Sequence, residues 1–151
     1  MKVRGNLLDR AESLAAAPDY LVAVGVAERT ELVAGNFLAQ VPEGDLHVFS
    51  HVLHNWDDGS VRRIAANCAR AARPGGWLVV LDMVLPSAPQ PAVGHLMDVL
   101  MMVLVGGAER TPEQYQALIE PAGYTLTRDV PLPIDDTGRQ PPWRALEFRR
   151  D

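Results

Sequence analysis

A histidine at the end of an apolar run is the first residue of this sequence that could do chemistry. His54 follows residues 46–53, whose apolar members predict a strand buried in a parallel sheet. Ligands of open α/β sheets bind at the carboxyl ends of such strands, where a histidine can take up a proton near neutral pH. His54 is therefore a candidate general base. A turn histidine that only hydrogen-bonds its neighbours fits the same position.

Two acidic residues are further candidates for a site at this edge of the sheet. Asp82 lies within the apolar run 77–85, where a carboxylate is costly unless it is paired or lies at a strand end. Glu109 follows the pair Gly106-Gly107. Each has a second interpretation, since Asp82 could be a solvated strand-end residue and Glu109 a charge at a helix start, stabilised by the helix dipole. The pattern leaves Asp82 open and favours the helix start for Glu109.

Other site chemistries find little support in the sequence. We expect no metal site, because the histidines form no spacing typical of a ligand set: His47, His51, His54 and His95. No two glycines are separated by a single residue, so the G-x-G of a dinucleotide-binding loop does not occur in these residues. Cys68 is most simply a small buried hydrophobe.

Composition predicts one globular domain in a reducing compartment. The 151 residues are 48% hydrophobic and 22% charged, and they carry a net charge of −5 with a pI of about 5.3, which argues against nucleic acid as the main partner. A single cysteine excludes an internal disulfide. No secretory signal is visible, and the most apolar run, 96–105, is shorter than the roughly 20 residues that span a bilayer. We therefore expect no membrane contact and a cytoplasmic location.

The candidate side chains lie on a chain in which predicted strands and helices alternate. Apolar residues at helical spacing predict a helix that begins at Asp57 or Asp58 and ends at 74–76, another helix at 93–104, and a third capped by Thr111 and closing near Gly123. The predicted strands are residues 3–8, 30–34, 46–53, 77–85, 124–132 and 143–149. The pattern predicts an α/β fold with a mostly parallel sheet and a C-terminal antiparallel hairpin.

Three motifs then carry a family resemblance. In order they are SHVLHNWDD at 50–58, ARPGGWLVVLDMVLP at 72–86 and GGAERTPEQYQALIEPAGY at 106–124. Together they resemble the C-terminal catalytic domain of S-adenosylmethionine-dependent O-methyltransferases, in the branch of plant caffeate and flavonoid enzymes, hydroxyindole O-methyltransferase and bacterial antibiotic tailoring enzymes. The resemblance runs from about residue 3 to residue 149, and it implies a Rossmann-like class I methyltransferase sheet.

The resemblance also implies a reaction and its catalytic residues. The family transfers a methyl group from S-adenosylmethionine to a hydroxyl of a small aromatic or polyketide-like acceptor and leaves S-adenosylhomocysteine. Its base matches His54, and the two acids that flank the base match Asp82, where many relatives have Glu, and Glu109. A carboxylate on one ring nitrogen fixes the tautomer and stabilises the imidazolium.

Binding residues are implied in the same way. Asp9 matches the aspartate that binds the ribose hydroxyls of the cofactor, and Asn36 with Phe37 matches the segment beside the adenine, with Asn36 in place of the usual aspartate. Ser50 stands where some relatives have a lysine. The residues that match the helix lining the acceptor pocket are Met97, Leu100 and Met101. From their spacing alone, core packing is the more frequent reason for such methionines.

The family's domain organisation sets a last expectation. Its N-terminal dimerisation domain, first strand and D-x-G-G-G-x-G loop have no counterpart within these residues, so we interpret 1–151 as a single partial catalytic domain. Strands that flank the first strand in the family would then need another neighbour, which predicts a homo-oligomer or a partner supplying the N-terminal half. Two alternatives are an inactive truncated or split paralogue that binds a partner subunit, and a small-molecule binding module without catalysis.

Overall fold

Alternating strands and helices form the protein as the sequence pattern predicts. The computed structural model describes residues 3–87, 93–132 and 143–151. The strands are β1 (Gly5–Asp9), β2 (Thr30–Ala34), β3 (Gly44–Ser50), β4 (Ala72–Met83), β5 (Tyr124–Pro131) and β6 (Trp143–Arg150). The α-helices are α1 (Ala11–Leu14), α2 (Ala17–Ala23), α3 (Asp58–Ala71), α4 (Val93–Val105) and α5 (Pro112–Ile119). Short 3-10 turns follow α2, β3 and α5.

These strands form two sheets. β1 and β2 pair in parallel in one sheet, and the other has the strand order β3-β4-β6-β5. β3 is parallel to β4, whereas β6 is antiparallel to both β4 and β5. The predicted α/β fold with a C-terminal antiparallel hairpin is therefore confirmed. Within the described residues, β1 pairs only with β2 and β3 only with β4, so each has one edge free of a strand neighbour.

One face of the four-stranded sheet carries the core. Residues from β3, β4 and β6 pack there against α3 and α5 in one apolar cluster. Cys68 is fully buried in this cluster, as predicted, and burial raises the pKa of its thiol to about 12. Three further residues of α3 are buried in the same cluster: Val61, Ile64 and Ala65. The core thus fixes α5 against α3 and the sheet.

The strand predicted at 46–53 is shorter than its apolar pattern indicated. β3 ends at Ser50 because His51 has φ 55°, in the left-handed region where a strand cannot continue. The prediction that this strand is buried on both faces is also wrong, since Leu46 and Val48 are 53% and 51% exposed. These side chains are exposed because, among the described residues, β3 is an edge strand and not a central one.

The helix predicted to end at 74–76 ends earlier. α3 stops at Ala71, and Ala72 already has the extended angles φ −78° and ψ 140°. The partner of Gly44 in β4 is Ala72 while that of Leu46 is Trp77, so 73–76 form an irregularity in the ladder. The glycines at 75 and 76 therefore shape a bulge inside β4 rather than a helix stop.

Helix α4 confirms its prediction and lies at the surface. It spans Val93–Val105 and is followed by Gly106, whose φ of 72° suits a residue after a helix end. Its large exposed apolar side chains are Leu96, Val99, Leu100, Met102, Val103, Leu104 and Val105. In the described part of the chain, no helix is both long enough and apolar enough to cross a membrane.

The start of α5 gives a first test, because this helix depends on a complete capping box. The Thr111 hydroxyl accepts from the backbone N of Gln114, and the Gln114 side chain accepts from the backbone N of Thr111. We expect Thr111→Ala to lower the free energy of unfolding by about 1 kcal/mol in urea denaturation. Ser13→Ala, on the exposed side of α1, is the control, and an equal loss there would contradict the capping argument.

Candidate active site

The turn after β3 presents His54. The Leu53–Asn55 segment forms a 3-10 turn, and the side chain of Asp57 caps α3 directly after it by accepting from the backbone N of Ser60 at 2.8 Å. His51, the residue between the end of β3 and this turn, donates its backbone N–H to Leu81 O at 3.0 Å. His54 is therefore held between the end of a strand and a capped helix, and it is only 8% exposed.

A buried carboxylate is bonded to this histidine. The distance between His54 Nδ1 and Glu109 Oε1 is 3.0 Å. Because a carboxylate oxygen only accepts, Nδ1 carries the donated proton and Nε2 is left to accept one. The bond to Glu109 is the main cause that raises the pKa of His54 above 6.5; burial opposes it, and the charges of Asp82 and Glu109 add to it. The pair can therefore take up a proton and stabilise the imidazolium.

The loop of Glu109 is fixed from several sides. Its backbone N donates to Asp98 Oδ1 of α4 at 2.9 Å, and Ala108 N donates to His54 O at 2.9 Å. The side chain is buried, and its Oε2 has no hydrogen-bond partner among the described residues. Glu109 is therefore more than a charge at a helix start, because its buried carboxylate is bonded to His54. Thr111 caps the helix, and Glu109 faces His54.

Asp82 is the second acid near this histidine. It is 0% exposed in β4, so the interpretation as a solvated strand-end residue is wrong. Its Oδ2 accepts from the hydroxyl of Tyr115 at 2.9 Å, whereas Oδ1 finds no partner in the described parts of the chain. Burial raises the pKa of Asp82, and the charge of His54 and the bond from Tyr115 oppose that rise. Asp82 and His54 thus each favour the charged form of the other.

Arg110 joins the two loops, and sequence reasoning missed it. Its guanidinium is buried, and all five of its N–H groups have acceptors: Asp58 Oδ1 twice and the backbone oxygens of Leu53, Trp56 and Ala108. Leu53 and Trp56 flank His54, while Ala108 precedes Glu109. Its one sequence signal is adjacency to Glu109 in the GGAERT motif.

Gly107 allows the two loops to approach closely. A Cβ at this position would overlap the carbonyl oxygen of His54 and would lie 2.7 Å from the carbonyl carbon of Asn55. Any side chain here would therefore push the Glu109 loop away from the turn that carries His54. The glycine pair thus has a packing role beyond ending α4.

The candidate cofactor residues lie at other strand ends. Asp9 is exposed at the end of β1, and Asn36 is exposed after β2, where its Oδ1 accepts from the backbone N of Leu38 at 2.9 Å. The ring of Phe37 packs edge-on against Trp56 with centroids 5.6 Å apart, and Asn67 Nδ2 donates to Phe37 O at 2.7 Å. These contacts fasten the segment after β2 to α3 and to the turn that follows His54.

The other predicted binding residues lie at the end of β3 and on α4. Ser50 lines an open cavity of about 280 Å³ together with His51, Leu81, Leu132 and Trp143. Sequence reasoning missed Trp143, whose ring lies 4.2 Å from that of His51, because it comes from the far end of the chain. The candidate acceptor residues lie on α4, where Leu100 is exposed and Met97 and Met101 are half-buried. Over the described ranges, no cluster of His, Cys, Asp and Glu is suited to a metal ion.

Comparison with known proteins assigns the family. A family model of the O-methyltransferase domain matches residues 2–125. The chain belongs to this O-methyltransferase family. It is 36% identical over 98% of its length to the mitomycin biosynthesis 6-O-methyltransferase of Streptomyces lavendulae, covering 41% of that protein. It is 37% identical over 86% of its length to a phenazine O-methyltransferase of Lysobacter antibioticus, covering 38% of it.

Solved structures of O-methyltransferases agree with this assignment. The structure of the mitomycin 7-O-methyltransferase superposes with a TM-score of 0.87 at 38% identity, covering 98% of this chain and 42% of that one. Human N-acetylserotonin methyltransferase superposes with a TM-score of 0.80 at 26% identity, covering 97% of this chain and 40% of that one. The class I methyltransferase fold is thereby confirmed. The chain spans about two fifths of the length of these relatives.

The raised pKa of His54 gives a second test. We expect the imidazole to titrate above 6.5 in NMR spectra, and Glu109→Gln to lower this pKa because the charged acceptor is lost. A raised folded-state pKa means that His54 stabilises the fold fully below its unfolded pKa and loses this contribution as pH rises through the folded value. Glu113→Gln, at an exposed carboxylate of α5, is the matched control. An equal fall in both variants would contradict the pairing.

The glycine pair gives a third test. We expect Gly107→Ala to lower the free energy of unfolding by about 3 kcal/mol or more, because its Cβ overlaps backbone that cannot give way. Gly106→Ala is the matched control, since its Cβ meets open space and only the φ of 72° is unfavourable, at about 1 kcal/mol. Denaturant titrations compare the two, and equal losses would contradict close approach as the cause.

Proposed function

We propose that this chain is the catalytic part of an O-methyltransferase that transfers a methyl group from S-adenosylmethionine to a hydroxyl of a small aromatic or polyketide-like acceptor. The observation that carries the proposal is the buried pair of His54 and Glu109 at 3.0 Å. A histidine held by its Nδ1 against a carboxylate is suited to remove a hydroxyl proton with its Nε2. Family membership supports the same reaction.

The residues at the ends of β1 and β2 fit the cofactor of this family. The exposed carboxylate of Asp9 can accept hydrogen bonds from the two hydroxyls of a ribose. Asn36 has its Oδ1 bonded to Leu38 N, which leaves its NH₂ group to donate to a base, and the half-buried ring of Phe37 offers an apolar edge. Ser50 would be a further polar contact. Solved relatives are complexes with S-adenosylmethionine or S-adenosylhomocysteine.

Each residue of the buried cluster has a defined part in the proposed mechanism. When bound, S-adenosylmethionine supplies the electrophilic methyl group. His54 removes the acceptor hydroxyl proton at Nε2, so that the oxygen becomes a better nucleophile. Glu109 holds Nδ1–H, and its charge together with that of Asp82 stabilises the imidazolium. Because His54 and both acids are buried, water screens these charges weakly.

The acceptor class is proposed from the relatives and from α4. The relatives include a 3-amino-4-hydroxybenzoate 4-O-methyltransferase and a methyltransferase solved with a hydroxynaphthoic acid. Leu100 on α4 is exposed and Met97 and Met101 are half-buried, and such flexible apolar side chains suit a planar aromatic molecule. We assign them to the acceptor side of the site.

The domain organisation is also proposed. We assign residues 1–151 to a single partial catalytic domain that works with the N-terminal half typical of its relatives or with a second copy of itself. The strand edges of β1 and β3 without a described neighbour support this proposal, as does the apolar surface of α4. Unpaired strand edges and apolar surface both favour association.

A second candidate function is a module that binds a partner subunit without catalysis. The exposed apolar side chains of α4 are the observation that favours it, because surfaces of this kind mark interaction sites. It differs from the first proposal in one respect: the folded chain would bind its partner but neither S-adenosylhomocysteine nor an acceptor.

A methyl-transfer assay tests the catalytic proposal. The protein is incubated with labelled S-adenosylmethionine and a panel of phenols and hydroxynaphthoates, alone and with a co-expressed N-terminal half of a relative. We expect transfer to at least one acceptor, and His54→Gln to lower kcat by roughly 100- to 10,000-fold, the range of general base catalysis. Normal turnover by His54→Gln would show that another group is the base.

Calorimetric titration with S-adenosylhomocysteine tests the cofactor site separately. We expect Asp9→Ala to weaken binding by about tenfold, equivalent to about 1.4 kcal/mol, because the ribose loses a charged acceptor. Asp19→Ala, at an exposed aspartate of α2, is the matched control and is expected to bind like the parent chain. Absence of binding by a folded sample, alone and with the N-terminal half, would favour the partner-binding module.

A further inference from the structure

We propose that Tyr115 is a positioning residue of this site: through its hydroxyl it holds Asp82 as the second carboxylate that acts on His54. The inference deepens the proposed function and rests on it only for its effect on turnover. Tyr115 does not contact His54 in any hydrogen bond of the described residues, so its action passes through Asp82. Nothing in the family motif distinguishes it from an ordinary core tyrosine.

The geometry gives Tyr115 a fixed position. It is 0% exposed, and it lies in the first turn of α5, where its backbone N donates to Thr111 O at 3.1 Å. Its hydroxyl donates to Asp82 Oδ2 at 2.9 Å. The guanidinium carbon of Arg110 lies 5.8 Å from the centre of its ring. The capping box and the buried arginine thus aim the hydroxyl at β4.

Asp82 depends on this one bond. Its side chain is fully buried, and Oδ1 has no partner among the residues that the structure describes. A buried carboxylate with few hydrogen bonds tends to take up a proton, and each bond donated to it favours the charged form. Removing the hydroxyl therefore shifts Asp82 toward the neutral acid. His54 then loses one of the two negative charges that stabilise its imidazolium.

Several other titratable groups face this pair. The turn after β3 contributes His51 and His54, and the loop before α5 contributes Glu109 and Arg110. Glu109 keeps its own bond to His54 when Tyr115 is changed, so the imidazole loses only the contribution of Asp82. The pKa of Tyr115 itself is raised well above 10 by burial and by Asp82, so it acts as a neutral donor near neutral pH.

The chain offers a matched control. Tyr124 is a second buried tyrosine, 1% exposed, whose hydroxyl has no hydrogen-bond partner within the described ranges. Tyr115→Phe and Tyr124→Phe each remove one buried oxygen and keep the ring. A structural effect of losing a core hydroxyl would therefore appear in both variants, whereas an effect that passes through Asp82 would appear only in Tyr115→Phe.

The experiment is an NMR titration of the His54 imidazole in the parent chain, Tyr115→Phe, Tyr124→Phe, Asp82→Asn and the double variant Tyr115→Phe/Asp82→Asn. We expect Tyr115→Phe and Asp82→Asn each to lower the His54 pKa by about 0.5, a threefold change in proton affinity. Tyr124→Phe should leave it unchanged. In the Asp82→Asn background, Tyr115→Phe should have no further effect, because the partner through which it acts is gone.

Each outcome of the titration decides the proposal without any turnover. An unchanged His54 pKa in Tyr115→Phe, or equal falls in the two tyrosine variants, would overturn it. If Tyr115→Phe unfolds, Asp82→Asn still tests the proposal. An unchanged His54 pKa in Asp82→Asn would overturn it, because Asp82 would then have no effect on His54. Where the protein is active, we expect Tyr115→Phe to lower kcat about threefold at constant KM. An inactive protein with the expected titration would contradict the proposed function alone.

Discussion

The buried guanidinium of Arg110 is the contact on which the candidate site depends. Its five donors bind the backbone on both sides of His54, the backbone before Glu109 and the carboxylate of Asp58. A planar, permanently charged fork of this kind can bridge several acceptors at once, which a lysine ammonium on a flexible stem cannot reproduce. His54 and Glu109 come from segments 55 residues apart, and Arg110 is bonded to the backbone of both segments.

The two carboxylates beside His54 act on it in different ways. Glu109 is bonded to the imidazole directly, whereas Asp82 acts through its charge and is itself held from α5. Two buried carboxylates beside one histidine are costly in isolation, and an imidazolium between them offsets part of that cost. The arrangement is therefore most favourable when the histidine carries a proton, which is the state that a general base reaches during its reaction.

Local chemistry explains which parts the sequence could predict. The strand at 30–34 and the cap at Thr111 depend on neighbouring residues and agree with the structure. The end of β3 could not be predicted in this way, because His51 adopts a left-handed conformation that the neighbouring residues do not indicate. The burial of Asp82, and the roles of Arg110 and Tyr115, depend on contacts between segments far apart in the chain. A buried arginine or tyrosine has the same letter as an exposed one, so only the fold distinguishes them.

Helix α4 has a consequence for how recognition and catalysis are joined. Asp98 lies on this helix between Met97 and Leu100, and its carboxylate fixes the backbone of Glu109 at 2.9 Å. The helix that we propose for acceptor contact thus also fixes the backbone of Glu109, whose carboxylate is bonded to His54. Because this bond joins α4 to the loop of Glu109, a change in the position of α4 would also change the position of the carboxylate that is bonded to His54.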